Sequence, residues 1–187
     1  MRILYYAPIF HHSLEEMGSL AKQFVETKKR LYGPRAEETY REKTKKCWAN
    51  IDQQIEKIAS SISTKIHIYM DGLPCIEDHH LLKIVKEIIA QKLPQYLIAE
   101  KLMKNGAITH GTEDVGLLLE EVEKNTIMPG MPGRKRREVL LRERDVFIAK
   151  TINKTLPDGE VGILFIGADH RADNEIKKIG IKVLYIK

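Results

Sequence analysis

The residues best suited to chemistry sit in the last third of the chain. Arg144 and Asp145 stand together in a charged run, and a wholly apolar stretch, Val161 to Ile166, opens onto Gly167-Ala168-Asp169-His170. An apolar strand that ends on glycine and then on polar side chains is where α/β proteins place ligands. Gly167 permits close approach of backbone or ligand. His170 could serve as a general base or as a metal ligand, and Asp169 could bind beside it. Arg144 could hold an anionic ligand, or a catalytic carboxylate, by a bidentate contact.

Further candidates lie upstream. His11 follows the first apolar segment, Asp71 follows the second, and Glu113 lies in Gly111-Thr112-Glu113-Asp114. Imidazoles and carboxylates gathered from separate strand exits suit either acid–base work or a divalent metal. Each also has a plain reading. His11 and His12 could be two loop histidines, and Asp71-Gly72 an ordinary turn. Asp78 could cap a helix whose first turn carries His79 and His80. Thr112 could cap a helix over 113–122, with Glu113 at its positive end. Arg144-Asp145 could be a solvated pair. Arg134, Lys135, Arg136 and Arg137 form a basic run beside glycines that could touch phosphates, or that could line a solvated loop over 125–137.

The elements that must position these groups follow from periodicity and punctuation. Arg2 to Ala7 reads as a strand ended by Pro8. Ser13 can cap a helix reaching Leu31, stopped by Gly33-Pro34. Trp48, Ile51, Ile55 and Ile58 recur at helical spacing within a second helix over 35–61, and Ile62 continues the same face. The two helices form a charged hairpin, at about 13–61, inserted after the first strand, and its length suits projection or dimerisation. Strands over 65–70, 107–110, 161–166 and 182–186 alternate with helices over 81–93, 94–104, 138–156 and 171–179. Asn105-Gly106 supplies a left-handed helix end. The expected fold is therefore α/β: a mostly parallel sheet flanked by helices, in a single domain over 1–187, with the long helical insertion after the first strand.

Composition narrows the class. The chain has 187 residues, 43% hydrophobic and 30% charged, which suits a globular protein with a sizeable core. No apolar run approaches the roughly 18 residues of a membrane span, and MRILYYAPIFHH lacks the pattern of a secretory leader. Cys47 and Cys75 form no metal or redox spacing, which fits a reduced, cytoplasmic protein. The net charge is +5, with a pI of about 9.1. That excess is modest and patchy, so nucleic acid ranks behind a small-molecule or anionic ligand as a partner. Motifs for dinucleotides, P-loops, zincins, α/β-hydrolases and dithiol chemistry are absent.

Three short segments resemble the TraB/PrgY, ChaN and erythromycin-esterase group: Pro8-Ile9-Phe10-His11, Arg144-Asp145-Val146-Phe147-Ile148-Ala149 and Gly167-Ala168-Asp169-His170. Members open with a strand leading to a His-bearing motif. They close with a helix bearing Arg-Asp or Arg-Asn and a strand ending in Gly-x-x-His. Here Pro-Ile-Phe-His replaces the usual Gly-Glu-x-His or Gly-Thr-x-His. The group includes hydrolases, proposed metalloproteases and a haem-binding protein, so the resemblance implies a shared pocket more than one reaction. The expected function is that of a hydrolase, with His11 and His170 as bases or metal ligands, Arg144 stabilising charge, and Glu113 or Asp71 orienting a histidine or holding a divalent metal. The alternative is a non-catalytic regulatory module, built as a homo-oligomer on the helix over 35–61, that senses an anion or nucleic acid through Arg134 to Arg137.

Overall fold

A computed structural model describes residues 1–9, 27, 30, 31, 33, 35–127 and 134–186. Within them lie strands β1 (Ile3–Ile9), β2 (Ile66–Pro74), β3 (Ile108–Glu113), β4 (Val161–Gly167) and β5 (Lys182–Tyr185). The helices are α1 (Ala36–Ser61), α2 (Asp78–Ile89), α3 (Pro94–Lys104), α4 (Val115–Ile127), α5 (Arg134–Thr155) and α6 (Ala172–Lys178). The expected α/β architecture is present: one five-stranded sheet in the order β3-β2-β4-β1-β5, every pairing parallel.

Helices cover both faces. Trp48, Ile51 and Ile55 of α1 pack with Leu81 and Val85 of α2 and with Ile98, Ala99 and Leu102 of α3, against Ile68, Met70, Ile163 and Phe165 of the sheet. On the other face, Ile148, Ala149 and Ile152 of α5 and Ala172 and Ile176 of α6 pack on Leu4, Tyr69, Leu164 and Ile166. Alternate residues of β4 thus enter opposite cores, which is why that strand reads as unbroken apolar sequence. The chain moves one way across the sheet from β1 to β3 and the other way from β3 to β5. Right-handed crossovers require the covering helices to change face when that direction reverses. The connection from β2 therefore leaves on one face and that from β4 on the other, and these two strands are neighbours. Their carboxyl ends form the topological switch point, the position where α/β sheets take ligands.

Several local expectations shift. The long helix after β1 is present as α1; the helix expected over 13–31 falls mostly outside the described residues. Asp71 belongs to β2 rather than to a turn after it. Between Met70 and Pro74 the register against β3 slips, because Gly111 pairs with Met70 and Glu113 with Pro74. Asp71, Gly72 and Leu73 lie opposite Thr112 alone in the bulge, with Gly72 at φ +80°, and bulges beside sites re-aim side chains. Glu77, not Asp78, is the capping position of α2. Thr112 and Glu113 end β3 instead of starting a helix; Thr112 donates to the Met70 carbonyl. Asp114 caps α4 by accepting from the Leu117 N–H at 3.1 Å. The basic run Arg134 to Arg137 opens α5 rather than lying in a loop. Among the described residues no helix is long and apolar enough to cross a membrane.

Candidate functional site

At the carboxyl edge of the sheet, α5 places Arg144 and Asp145 one turn before Ile148 and Ala149. Helical spacing therefore turns both charged side chains inward with the apolar stripe. Arg144 is 6% exposed, Asp145 5%, His170 5% and Glu113 0%. Charges so deeply buried require close partners, and each has them.

Every nitrogen of the Arg144 guanidinium donates to a carboxylate. Nε donates to Glu113 Oε2 at 3.0 Å and Nη2 to Glu113 Oε1 at 2.9 Å, a bidentate fork. Nη2 also donates to Asp71 Oδ1 at 2.9 Å, and Nη1 donates to Glu121 Oε2 of α4 at 2.5 Å. Of the two readings of Arg144, the geometry matches the one in which it holds carboxylates. Asp71 is fixed on its other side by the Gly167 N–H, at 3.0 Å from Oδ2. A Cβ on Gly167 would lie 3.1 Å from that oxygen, so glycine preserves this close approach.

His170 is reached by a tight turn in which its own N–H donates to the Gly167 carbonyl at 3.2 Å. Its Nδ1 meets Asp145 Oδ1 at 2.6 Å, and the second Asp145 oxygen accepts the Arg171 N–H at 2.9 Å. One carboxylate thus orients the imidazole and holds the start of α6. The remaining ring nitrogen, Nε2, lies 3.5 Å from Asp71 Oδ2. One donor atom each from Asp71, Glu113 and His170 falls within a 4.8 Å span.

Proton affinities diverge inside the cluster. Burial pushes the Glu113 carboxyl up to about 7, assisted by its hydrogen bond with Asp71 and opposed by Arg144. Burial acts the same way on Asp71, but His170, Glu113, Arg144 and the Gly167 N–H together hold that carboxyl below its ordinary value. Two carboxyls in contact share one proton more readily than they carry two charges. Burial works against protonated His170, yet the Asp145 hydrogen bond and the Asp71 charge outweigh it and raise its pKa. Burial likewise disfavours charge on Arg144, and its carboxylate partners hold the pKa up.

Of the residues singled out from sequence, Asp71, Glu113, Arg144, Gly167 and His170 meet here. His11 lies outside the described residues, as does the Arg134 side chain. Asp169 does not join the cluster: it is exposed and pairs with Arg137 at 3.0 Å. Arg136 is also exposed, on Glu120 at 2.9 Å from Nε, with Glu143 nearby. These pairings partly neutralise the basic run as a phosphate-binding face. Two residues of the cluster escaped the sequence reading as site members. Glu121 is one acid among several on α4, with nothing local to mark it. Asp145 reads with Arg144 as a charged pair, and the signal for its inward role is its four-residue spacing from Ala149 on a buried stripe.

A second polar cluster was not foreseen. It lies toward the amino end of the strands, where His67 Nδ1 meets His110 Nε2 at 2.8 Å and His67 Nε2 meets Glu160. The surface hollow of about 450 Å³ between α4 and α5, lined by Leu117, Val139, Val146 and Phe147, contains none of the clustered carboxylates.

No family model matches the chain, and no curated protein or solved structure shows detectable similarity to it.

Proposed function

We propose that the chain is a metal-dependent hydrolase in which Asp71, Glu113 and His170 hold one divalent cation at the carboxyl edge of the sheet. The observation that carries this reading is the convergence of those three donors, from β2, β3 and the exit of β4, within 4.8 Å. Each donor is also backed by a second group. Asp145 on His170 Nδ1 makes the carboxylate–histidine arrangement that leaves the other nitrogen free for a metal. Arg144 braces Glu113 and Asp71. The carboxyls of Asp71, Glu113, Glu121 and Asp145 outnumber the cations Arg144 and His170, so a divalent ion would relieve negative charge. Two carboxylates and one imidazole, without thiolate, suit Mn²⁺ or Zn²⁺ better than a soft metal. Such an ion would polarise the bond to be cut and lower the pKa of a bound water. The Arg-Asp helix and the Gly-x-x-His exit, which carry the TraB-like resemblance, both contribute to this cluster.

Calorimetric titration with Mn²⁺ and with Zn²⁺ tests the reading. One equivalent is expected to bind, with affinity lost in Asp71→Asn and reduced about ten- to hundredfold in Asp145→Asn. Turnover of ester, phosphoester or amide substrates should then depend on the metal. Failure of both ions to bind would refute the reading. Stoichiometric binding without turnover of any substrate class would favour the regulatory alternative.

A further inference from the structure

We infer that Glu121 occupies the place of a substrate oxyanion, so that the ligand taken by this site carries a phosphoryl group which displaces Glu121 from Arg144. The inference rests on the metal-site reading above and extends it to the substrate.

The argument begins with the inequality of the partners of Arg144. Glu113 is fully buried at the end of β3, and its fork on Nε and Nη2 belongs to the body of the sheet. Asp71 is pinned from behind by the Gly167 N–H. Glu121 differs from both: its side chain is 38% exposed, and it is the partner recorded on Nη1. It also rides on a helix with exposed apolar side chains. Val115 is 43% exposed and Leu119 63%, and among the described residues no α4 side chain belongs to either core cluster. Withdrawing Glu121 therefore breaks a half-solvated ion pair and leaves the β2–β3 scaffold intact. Half-solvated pairs are cheap to break.

Arg144 Nη1 would then lose its carboxylate partner, while Nη2 stays on Asp71 and Glu113, two of the groups assigned to the cation. An arginine next to a divalent ion is the arrangement that clamps a phosphoryl group, because its several oxygens can contact both centres at once. Charge points the same way. While Glu121 remains, the carboxyls exceed the cations and repel an anion. With a divalent ion bound, His170 neutral as its ligand and Glu121 withdrawn, the three remaining carboxylates are balanced by Arg144 and the ion, so the repulsion of an anion is lifted. A carboxylate has fewer oxygens to share and less charge to gain.

The test is titration of inorganic phosphate into the full chain, metal-free and Mn²⁺-loaded, followed by calorimetry. Glu121→Ala is expected to bind phosphate about three- to tenfold more tightly than the parent protein, the worth of one half-exposed ion pair. Glu123→Ala, which removes an equal charge from the same helix without a partner on Arg144, should leave phosphate affinity unchanged. Acetate should gain less than phosphate. Equal tightening in Glu123→Ala would reduce the effect to general charge and overturn the inference, as would no change in Glu121→Ala or a larger gain for acetate. Mn²⁺ binding is read in the same experiment. Tightening on Glu121→Ala without any Mn²⁺ binding would sink the metal reading and leave the displacement standing.

Discussion

Arg144 shows how one residue organises the others. Its guanidinium bridges Glu113, Asp71 and Glu121 from three separate elements. Removing it strands a carboxyl with no exposure to water. Breaking a buried pair from one side costs about 3–5 kcal/mol, whereas replacing both partners often costs far less. Arg144→Met is therefore expected to lower unfolding stability by about that amount in urea titrations. Glu113→Gln combined with Arg144→Met should lose less than the sum of the two single changes, since the neutral amide no longer needs the cation. Additive losses would show that Arg144 does not hold Glu113. Arginine's rigid fork explains why lysine should not substitute: a point charge cannot serve Nε and Nη2 contacts together.

At the scale of elements, the site depends on a bulge that only a glycine beside it permits. A Cβ at Gly111 would lie 1.9 Å from the Pro74 carbonyl oxygen. Gly111→Ala must then displace the β2 bulge and with it Asp71. Gly106 offers the contrast: its φ is +89°, but a Cβ there would meet open space. Gly106→Ala should cost only about 1 kcal/mol, the usual penalty for a left-handed helix end without glycine. Thermal unfolding is expected to separate the two variants clearly, and equal shifts would count against the bulge as the element that aims Asp71.

The same contrast explains what was legible beforehand. Asn105-Gly106 announces its role locally, and α3 ends there. The apolar run of β4 and the spacing of Trp48, Ile51 and Ile55 likewise specify strand and helix by pattern alone. Asp71 in a bulge does not, because Asp-Gly reads as a turn until the neighbouring strand is known. Nor does Thr112, which looks like a helix cap but donates to Met70 across the sheet. The pocket edge at Gly167 to His170 was visible because it is contiguous. Its partners on β2, β3 and α4 were weakly marked or unmarked, since pairing across the sheet leaves no local trace.

Across the whole molecule, polar groups gather near both ends of one parallel sheet. The carboxyl end holds the candidate site. Toward the amino end, Glu160 meets His67 Nε2, and His67 Nδ1 faces His110 Nε2 at 2.8 Å. With Glu160 ionised, His67 directs its Nε2–H to the carboxylate, so His110 donates to the bare Nδ1. Burial and the neighbouring His67 push His110 from 6.5 down to about 4, with Asp78 acting weakly in the opposite sense. Between those values the unfolded chain binds a proton that the folded chain refuses, so stability must rise with pH across this window and fall on acidification. The penalty is absent above the unfolded value and complete below the folded one. Other carboxyls titrate nearby, so the decisive quantity is a difference between proteins. His110→Gln can still donate to His67 Nδ1 but does not titrate. Its unfolding free energy, measured by urea from pH 7 to pH 4, should decline less steeply than that of the parent chain. Parallel declines would mean that the imidazole pair contributes nothing to the acid sensitivity of the fold.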